Sequence, residues 1–355
     1  MIQTFSSTIR RKEMDAVLNC MVDEKTGPGE LNSRFIQAIK DFTQCDGAVA
    51  FRSPSIALSY AIKALDLEKG TSVMISALAP KWQLCAVKEL GYTPLILDVD
   101  EETGLVNKEI VSEAVKNGGR LLILHETMGI VPDLASIIEC GIPVIEDISA
   151  SFGASVNNLI PESEGETAPQ TKNEIAGSKG IFSILGLEEF DTITGGGGAV
   201  LIAPKRKEWI VLKKLTDEAP KTDILPDLNR ALALIQLKEF NRNENLRKTI
   251  FNIYEQSVKR TKNKTFARIP EFSTIWSFPV ILNGSLKDAK QYANKKDIEL
   301  CQAYADSVIS ALNDEEMQSL KVSKSLFLRT VLFPLYPRLG SESVTKISKI
   351  LSTLP

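Results

Sequence analysis

Asp147 closes the apolar run Pro143-Val144-Ile145-Glu146, at the end of a segment that reads as a buried strand. Open α/β sheets place their ligands at the carboxyl ends of such strands, so a carboxylate there is a candidate ligand contact. The competing reading is an exposed carboxylate that caps the following helix. Glu188 and Glu189 follow another apolar strand pattern, where either could serve as a general base. His125 is the single histidine of the chain and ends the run Leu121–Leu124. A lone histidine at a strand end is more often a hydrogen-bonded structural residue than a catalyst. Ser53-Pro54-Ser55 has the composition of a helix start, since proline suits a first helical turn. Gly195-Gly196-Gly197-Gly198 carries a large conformational entropy penalty. Such a run implies tight turns or the close approach of a partner or a ligand phosphate, for which glycines alone are weak support.

These residues hang on a regular alternation. Ala48–Phe51, Ser72–Ser76, Pro94–Leu97, Leu121–Leu124 and Pro143–Glu146 are predicted strands, and Ile181–Leu185 and Ala199–Ala203 continue the series. Helical patterns fall between them at Pro54–Leu67, Gln83–Leu90 and Asn107–Lys116. That order predicts βαβ units and a mostly parallel sheet in an α/β fold. Residues 157–178 are polar and read as a long exposed loop. Leu228, Ala231, Leu232, Ile235 and Phe240 recur at helical spacing, predicting one long helix from about Asp227 to Arg260. From Ser277 onward strand and helix alternate again, which predicts a smaller α/β part. The expected division is residues 1–228 and 229–355.

Composition removes several classes. The 355 residues carry a net charge of −3, so no broad basic surface points to nucleic acid or an anionic membrane. Cys20, Cys45, Cys85, Cys140 and Cys301 are scattered without a C-x-x-C pair, which argues against a disulfide framework or a zinc site. The opening MIQTFSSTIRRK lacks an apolar leader core, and no apolar run is long enough to span a bilayer. A soluble, cytoplasmic protein without a metal is expected.

The stretch Phe182–Gly198, FSILGLEEFDTITGGGG, resembles the lysine-bearing segment of the DegT/StrS-type sugar aminotransferases, which are pyridoxal phosphate (PLP) enzymes of fold type I. Other pieces resemble the same family in order. They are Gly27-Pro28-Gly29, Lys69–Val73, Gly91–Asp100, Pro143–Asp147, Arg230–Leu237 and Leu332–Leu339. The resemblance implies a three-layer large domain, a smaller carboxyl-terminal domain and a dimer. It also implies a role for each matching residue. Asp147 would hold the pyridine nitrogen, Ser53, Ser55 and Ser183 would face the cofactor phosphate, and an aromatic would stack on the ring; Ser183 reads equally as a small core residue on a buried strand. Glu188 falls where the family has its Schiff-base lysine, and no lysine occurs from Gly180 to Pro204. Lys179 lies nine residues away, about 30 Å of extended chain. Other positions depart as well. Pro54 replaces a glycine of the phosphate cradle and offers no N–H. Pro80 stands at the stacking position, with Trp82 as a substitute or as a plain core tryptophan. Ala150 replaces the ring-hydroxyl partner, and Thr222 and Ile224, counted back from Gln236, replace an asparagine and an arginine that reach the partner subunit.

A carboxylate cannot form an imine, and four departures together predict loss of covalently bound PLP. The sequence therefore reads as a sugar-aminotransferase-like protein acting by binding, in a nucleotide-sugar or surface-polysaccharide setting. It would be a homodimer, or the partner of a paralogous aminotransferase subunit. The alternative is an enzyme that holds PLP or its amine form non-covalently and uses Glu188 as base, or that a paralogue completes.

Overall fold

The computed structural model describes residues 1–156, 174–269 and 271–354. The strands in chain order are β1 (Gly47–Phe51), β2 (Ser72–Ser76), β3 (Thr93–Leu97), β4 (Leu121–His125), β5 (Val144–Asp147), β6 (Ser155–Val156), β7 (Glu174–Ile175), β8 (Phe182–Gly186), β9 (Ala199–Ala203), β10 (Phe278–Ile281), β11 (Cys301–Gln302) and β12 (Thr330–Phe333). The helices are α1 (Arg11–Val22), α2 (Leu31–Thr43), α3 (Pro54–Leu65), α4 (Lys81–Glu89), α5 (Lys108–Lys116), α6 (Leu134–Ile138), α7 (Arg206–Asp217), α8 (Asp227–Lys238), α9 (Phe240–Val258), α10 (Leu286–Asn294), α11 (Lys321–Arg329) and α12 (Ser341–Leu351).

Seven strands form one sheet in the order β1-β9-β8-β5-β4-β2-β3. Only β9 runs antiparallel to its neighbours, β1 and β8. The strands are apolar on both faces because both are covered. Val73, Ile75, Ile123 and Ile145 pack with α3, α4 and α7 residues such as Leu58, Val87 and Leu212. Met74, Leu122, Leu124 and Val144 face the other way, with Val111, Leu134 and Ile137 of α5 and α6. Phe35 and Ile39 of α2 and Ala233, Leu234 and Leu237 of α8 cover the rest of that second face. This is the expected three-layer α/β architecture, and the strand readings hold to within a residue or two. A three-stranded sheet, β10-β12-β11, packs separately with α9, α10 and α12 around Phe278, Val280, Phe333 and Ile347.

The long helix expected from Asp227 to Arg260 is two helices. Glu239 stands between them at φ −90°, ψ 0°. Two packings compete across that residue. α8 lies on α1 and α2, whereas α9 lies against α12. Phe240 turns edge-on to Phe42 and Phe152, and Lys12 and Arg242 hold the Glu239 carboxylate at 2.6 and 3.0 Å. Of the exposed loop expected over 157–178, residues 157–173 lie outside the described residues, while Glu174–Ile175 pairs with Ser155–Val156.

A second carboxylate of the β5 end is wholly internal. Glu146 accepts backbone N–H bonds from Gly177 at 2.8 Å, from Lys179 at 3.0 Å and from Gly180, and so fixes the turn that leads into β8. Glu126 lies beside it, fully buried, with one oxygen on Ser151 and the other facing Glu146 without a hydrogen bond. Two carboxylates cannot both ionise there. Burial, reinforced by the Glu146 charge, pushes Glu126 well above the usual carboxyl range, so it is the protonated member of the pair. A group whose folded pKa is raised stabilises fully below its unfolded value and loses that contribution as pH rises through the folded one. Glu126→Gln keeps a donor and has no proton to lose. Its unfolding free energy should therefore gain on wild type by up to about 1.4 kcal/mol per pH unit above the ordinary carboxyl pKa. Urea denaturation at pH 5, 6.5 and 8 reads the difference, and parallel pH profiles would contradict a proton held on Glu126.

Candidate functional site

The carboxyl ends of β4, β5 and β8 converge on Asp147, which is fully buried. Gln83 of α4 donates to its Oδ2 from 2.7 Å, and His125 Nδ1 lies 3.0 Å from the same oxygen. Ser149 donates to Oδ1 through its hydroxyl at 2.5 Å and its backbone N–H at 3.2 Å. Burial alone would raise this carboxyl, but the attraction and hydrogen bond of His125 and the Ser149 donors bring it below its ordinary value. The carboxylate is therefore ionised and internally satisfied. Ser149 Oγ also accepts from the Gly186 N–H at 2.9 Å, and Thr192 donates to the Ser149 carbonyl at 2.8 Å. One short segment thus ties β5, β8 and the loop after β8 together.

Above this base is a cavity of about 270 Å³. Its walls include Pro54, Pro80, Trp82, His125, Asp147, Glu188, Asp191, Trp276, Tyr304 and Asp306. Among the described residues lysine and arginine are absent from its lining, whereas four carboxylates line it, of which Asp306 is paired with Lys81 at 2.9 Å. The Asp191 carboxyl is pushed up to about 7 by burial, with the charges of Asp147 and Glu188 adding to it against the Glu188 N–H at 2.8 Å. Glu188 turns one oxygen toward the Gly198 N–H at 3.3 Å. The glycine run explains that geometry. Gly196, Gly197 and Gly198 have φ of +70°, +125° and +110°, and a Cβ on Gly198 would stand 2.3 Å from Leu225. Gly195 and Gly197 both give their N–H to the Leu187 carbonyl at 2.9 Å.

The structure brings Asp147, Glu188 and Trp82 of the expected residues to this cavity. Ser183, Ser53 and Ser55 are not part of its lining. Ser183 is buried and donates to the Gly177 carbonyl at 3.1 Å. Ser53 is the N-cap of α3 and accepts the Ile56 N–H at 3.2 Å. The capping reading set against Asp147 does not describe it, since its partners are side chains of three elements. Gln83, Ser149, Asp191, Trp276 and Tyr304 were not singled out by the sequence. Ser149, two residues after Asp147, had the spacing of a local side-chain turn and could have been found. Gln83 gave no local signal, because its partner is 64 residues away.

The phosphate of the expected cofactor does not fit what is present. Pro54 has no N–H, Ile56 and Ala57 give theirs to Ser53, and only Ser55 remains for an anion in that first turn. Among the described residues no lysine or arginine of the lining would neutralise a dianion, His125 is engaged by Asp147, and Glu188 would oppose it. Two like unit charges about 6 Å apart repel by roughly 3 kcal/mol even at an effective dielectric near 20.

Because Asp147 is held by its own protein, its removal should be felt as stability. Asp147→Ala leaves the Gln83, His125 and Ser149 donors buried without an acceptor and should lower the unfolding free energy by about 3–5 kcal/mol. A loss below about 1 kcal/mol by urea denaturation would mean that the network is not structural.

Residues 7–352 match the DegT/DnrJ/EryC1/StrS aminotransferase family. GDP-perosamine synthase of Escherichia coli O157:H7 is 19% identical over 371 residues, spanning 98% of this chain and 96% of that protein. Among solved structures, the aminotransferase TlmJ from Streptoalloteichus hindustanus superposes with a TM-score of 0.84 at 16% identity, covering 99% of this chain and 98% of its own. The Escherichia coli GDP-4-keto-6-deoxy-D-mannose-3-dehydratase, with bound hydrated PLP, also gives 0.84 at 16% identity, covering 99% of both chains. The extent of the match leads to one assignment: the chain belongs to the DegT/DnrJ/EryC1/StrS aminotransferase family.

Proposed function

We propose that this chain is a family member that binds a sugar ligand or a partner subunit and does not carry PLP as an imine. The observation that carries this reading is the make-up of the cavity wall: Asp147, Glu188, Asp191 and Asp306 line it among the described residues, without lysine or arginine, the nearest bases being His125 on Asp147 and Lys81 on Asp306. Glu188 stands, by resemblance, at the Schiff-base position. Such a wall suits hydroxyls and ammonium groups, which donate to carboxylates, and Trp82 and Trp276 offer apolar faces to a sugar ring. A related dehydratase has been solved with GDP-perosamine bound, which supports a nucleotide sugar as the ligand class to test first. The same reading includes a cytoplasmic homodimer, divided at 228/229, or a paralogous aminotransferase as partner. Among the described residues no helix is long and apolar enough to cross a membrane.

One observation favours an enzyme instead. The Asp191 carboxyl, at about 7 beside Glu188, is poised to give and take a proton near neutral pH. In that reading Glu188 or Asp191 acts as base on a nucleotide sugar, or a paralogous subunit supplies the lysine.

The experiment is to incubate the protein with PLP, reduce with borohydride and map the peptides. No stoichiometric pyridoxyl-lysine should appear. Glu188→Lys alone should bind PLP weakly by absorbance titration and fail to half-transaminate with glutamate. Adding Pro54→Gly and Pro80→Phe should tighten PLP by about tenfold or more, as one regained charge-assisted hydrogen bond is worth roughly 1.5–3 kcal/mol. Turnover of glutamate by Glu188→Lys alone at an ordinary enzymatic rate would overturn the reading.

A further inference from the structure

A second cleft lies away from the sheet-edge cavity, between the turn after β3, the segment 262–268, the end of β10 and α11. It has a volume of about 540 Å³. Its frame is rigid. Lys264 and Ile281 exchange both backbone hydrogen bonds, at 3.0 and 2.7 Å, and Ala267 gives its N–H to the Glu102 carbonyl at 2.8 Å. Asn263 accepts the Asn283 N–H at 2.8 Å.

Arg268 lines this cleft, and its guanidinium is the unusual group. Nε, Nη1 and Nη2 are all shielded from bulk water, and none has a hydrogen-bond partner. One face of the guanidinium lies over Phe251, 5.0 Å from the ring centroid, so the five N–H groups project from its edge. Burial lowers its pKa to about 10, where it is still a cation at neutral pH. A buried cation with no acceptor is strongly disfavoured unless something answers its charge. Glu244 and Glu255 attract it, but neither hydrogen-bonds to it, and Glu244 is held by Arg247 at 2.9 Å. Glu255 is held by Lys259 at 2.8 Å and Glu101 lies 3.9 Å from Arg329. That leaves Lys262, Lys264 and Arg268 of the lining against Glu102 alone. The Tyr304 hydroxyl is also buried without a hydrogen bond, and the Arg268 charge acts on it. Tyr304 lines the cavity above Asp147, so it stands between that cavity and Arg268.

We propose that this cleft is an anion site, with Arg268 as the recognising residue and Lys262 and Lys264 at its mouth, for a phosphate or carboxylate group of a small ligand. The planar edge of a guanidinium matches two oxygens of either group, and the exposed lysines add attraction without geometry. The site is independent of the reading proposed for the sheet-edge cavity.

The test uses the full chain, titrated with sodium pyrophosphate and with citrate, against sodium chloride at matched ionic strength. Thermal unfolding and calorimetry give the readout. A saturable upward shift of Tm with one or both oxyanions, absent with chloride, is expected, and the tighter of the two identifies phosphate or carboxylate as the ligand group. Arg268→Met keeps the stem and removes the charge. Without oxyanion it should unfold at the same temperature as wild type or higher, and its oxyanion affinity should fall at least tenfold. Lys264→Gln, on the exposed rim, should fold normally and weaken binding by about threefold to tenfold. The proposal is overturned if wild type responds to oxyanions only as it does to chloride, or if Arg268→Met binds as tightly as wild type. It is also overturned if Arg268→Met is clearly less stable without oxyanion while Lys264→Gln leaves the affinity unchanged, which would make Arg268 a structural cation.

Discussion

The candidate site depends on one buried carboxylate. Asp147 takes hydrogen bonds from Gln83, His125 and twice from Ser149, so its charge is spread over α4, β4 and the segment after β5. In the low-dielectric end of the sheet those bonds are strong, and any one left unmade would be expensive. Ser149 then passes the constraint to Gly186 and Thr192, which sets the loop bearing Glu188 and Asp191. The glycine run completes it, because only residues free of a Cβ can follow the path that lets the Gly198 N–H meet Glu188. The positions of Asp147, Glu188 and Asp191 follow from this chain of contacts, whereas Asp306 is held separately by Lys81 at 2.9 Å.

A cavity built on that base has a definite electrostatic preference. Family folds of this type ordinarily meet an anionic cofactor with helix N–H groups and a lysine. Here the helix start lacks an N–H at Pro54, gives those of Ile56 and Ala57 to its own cap and keeps only that of Ser55, and the wall is rich in carboxyl groups. Restoring a single lysine changes one charge and leaves the cradle as it is. The basic cleft around Arg268 shows the opposite preference on another part of the same molecule, where cations outnumber the carboxylates that could neutralise them.

The sheet was legible because buried parallel strands are continuous apolar runs, and Val73–Ser76 or Leu121–Leu124 admit no other reading at that length. The break at Glu239 was not, since the apolar spacing continues through it. What breaks the helix is the divergence of two packing surfaces, with Phe240 drawn to Phe42 and Phe152. At the site, Asp147 and Glu188 were found from strand ends and from resemblance. Gln83 and Trp276 were not, because a side chain recruited across the fold leaves no trace in its neighbours along the chain. Ser183 and Ser53 match family positions, yet their hydroxyls are engaged by Gly177 and the α3 cap, in line with the competing readings of a small core residue and a helix start.

The central claim is that this cavity disfavours the phosphate of a pyridoxal-type ligand. The most direct measurement is the affinity of the wild-type protein for pyridoxamine and for pyridoxamine phosphate, by calorimetry under one buffer and ionic strength. The two share the ring and the amine and differ in the phosphate alone. The account predicts that the phosphate brings no gain in affinity, or a loss. A phosphate form that binds a hundredfold or more tighter, about 2.7 kcal/mol, would show a working phosphate cradle and contradict it.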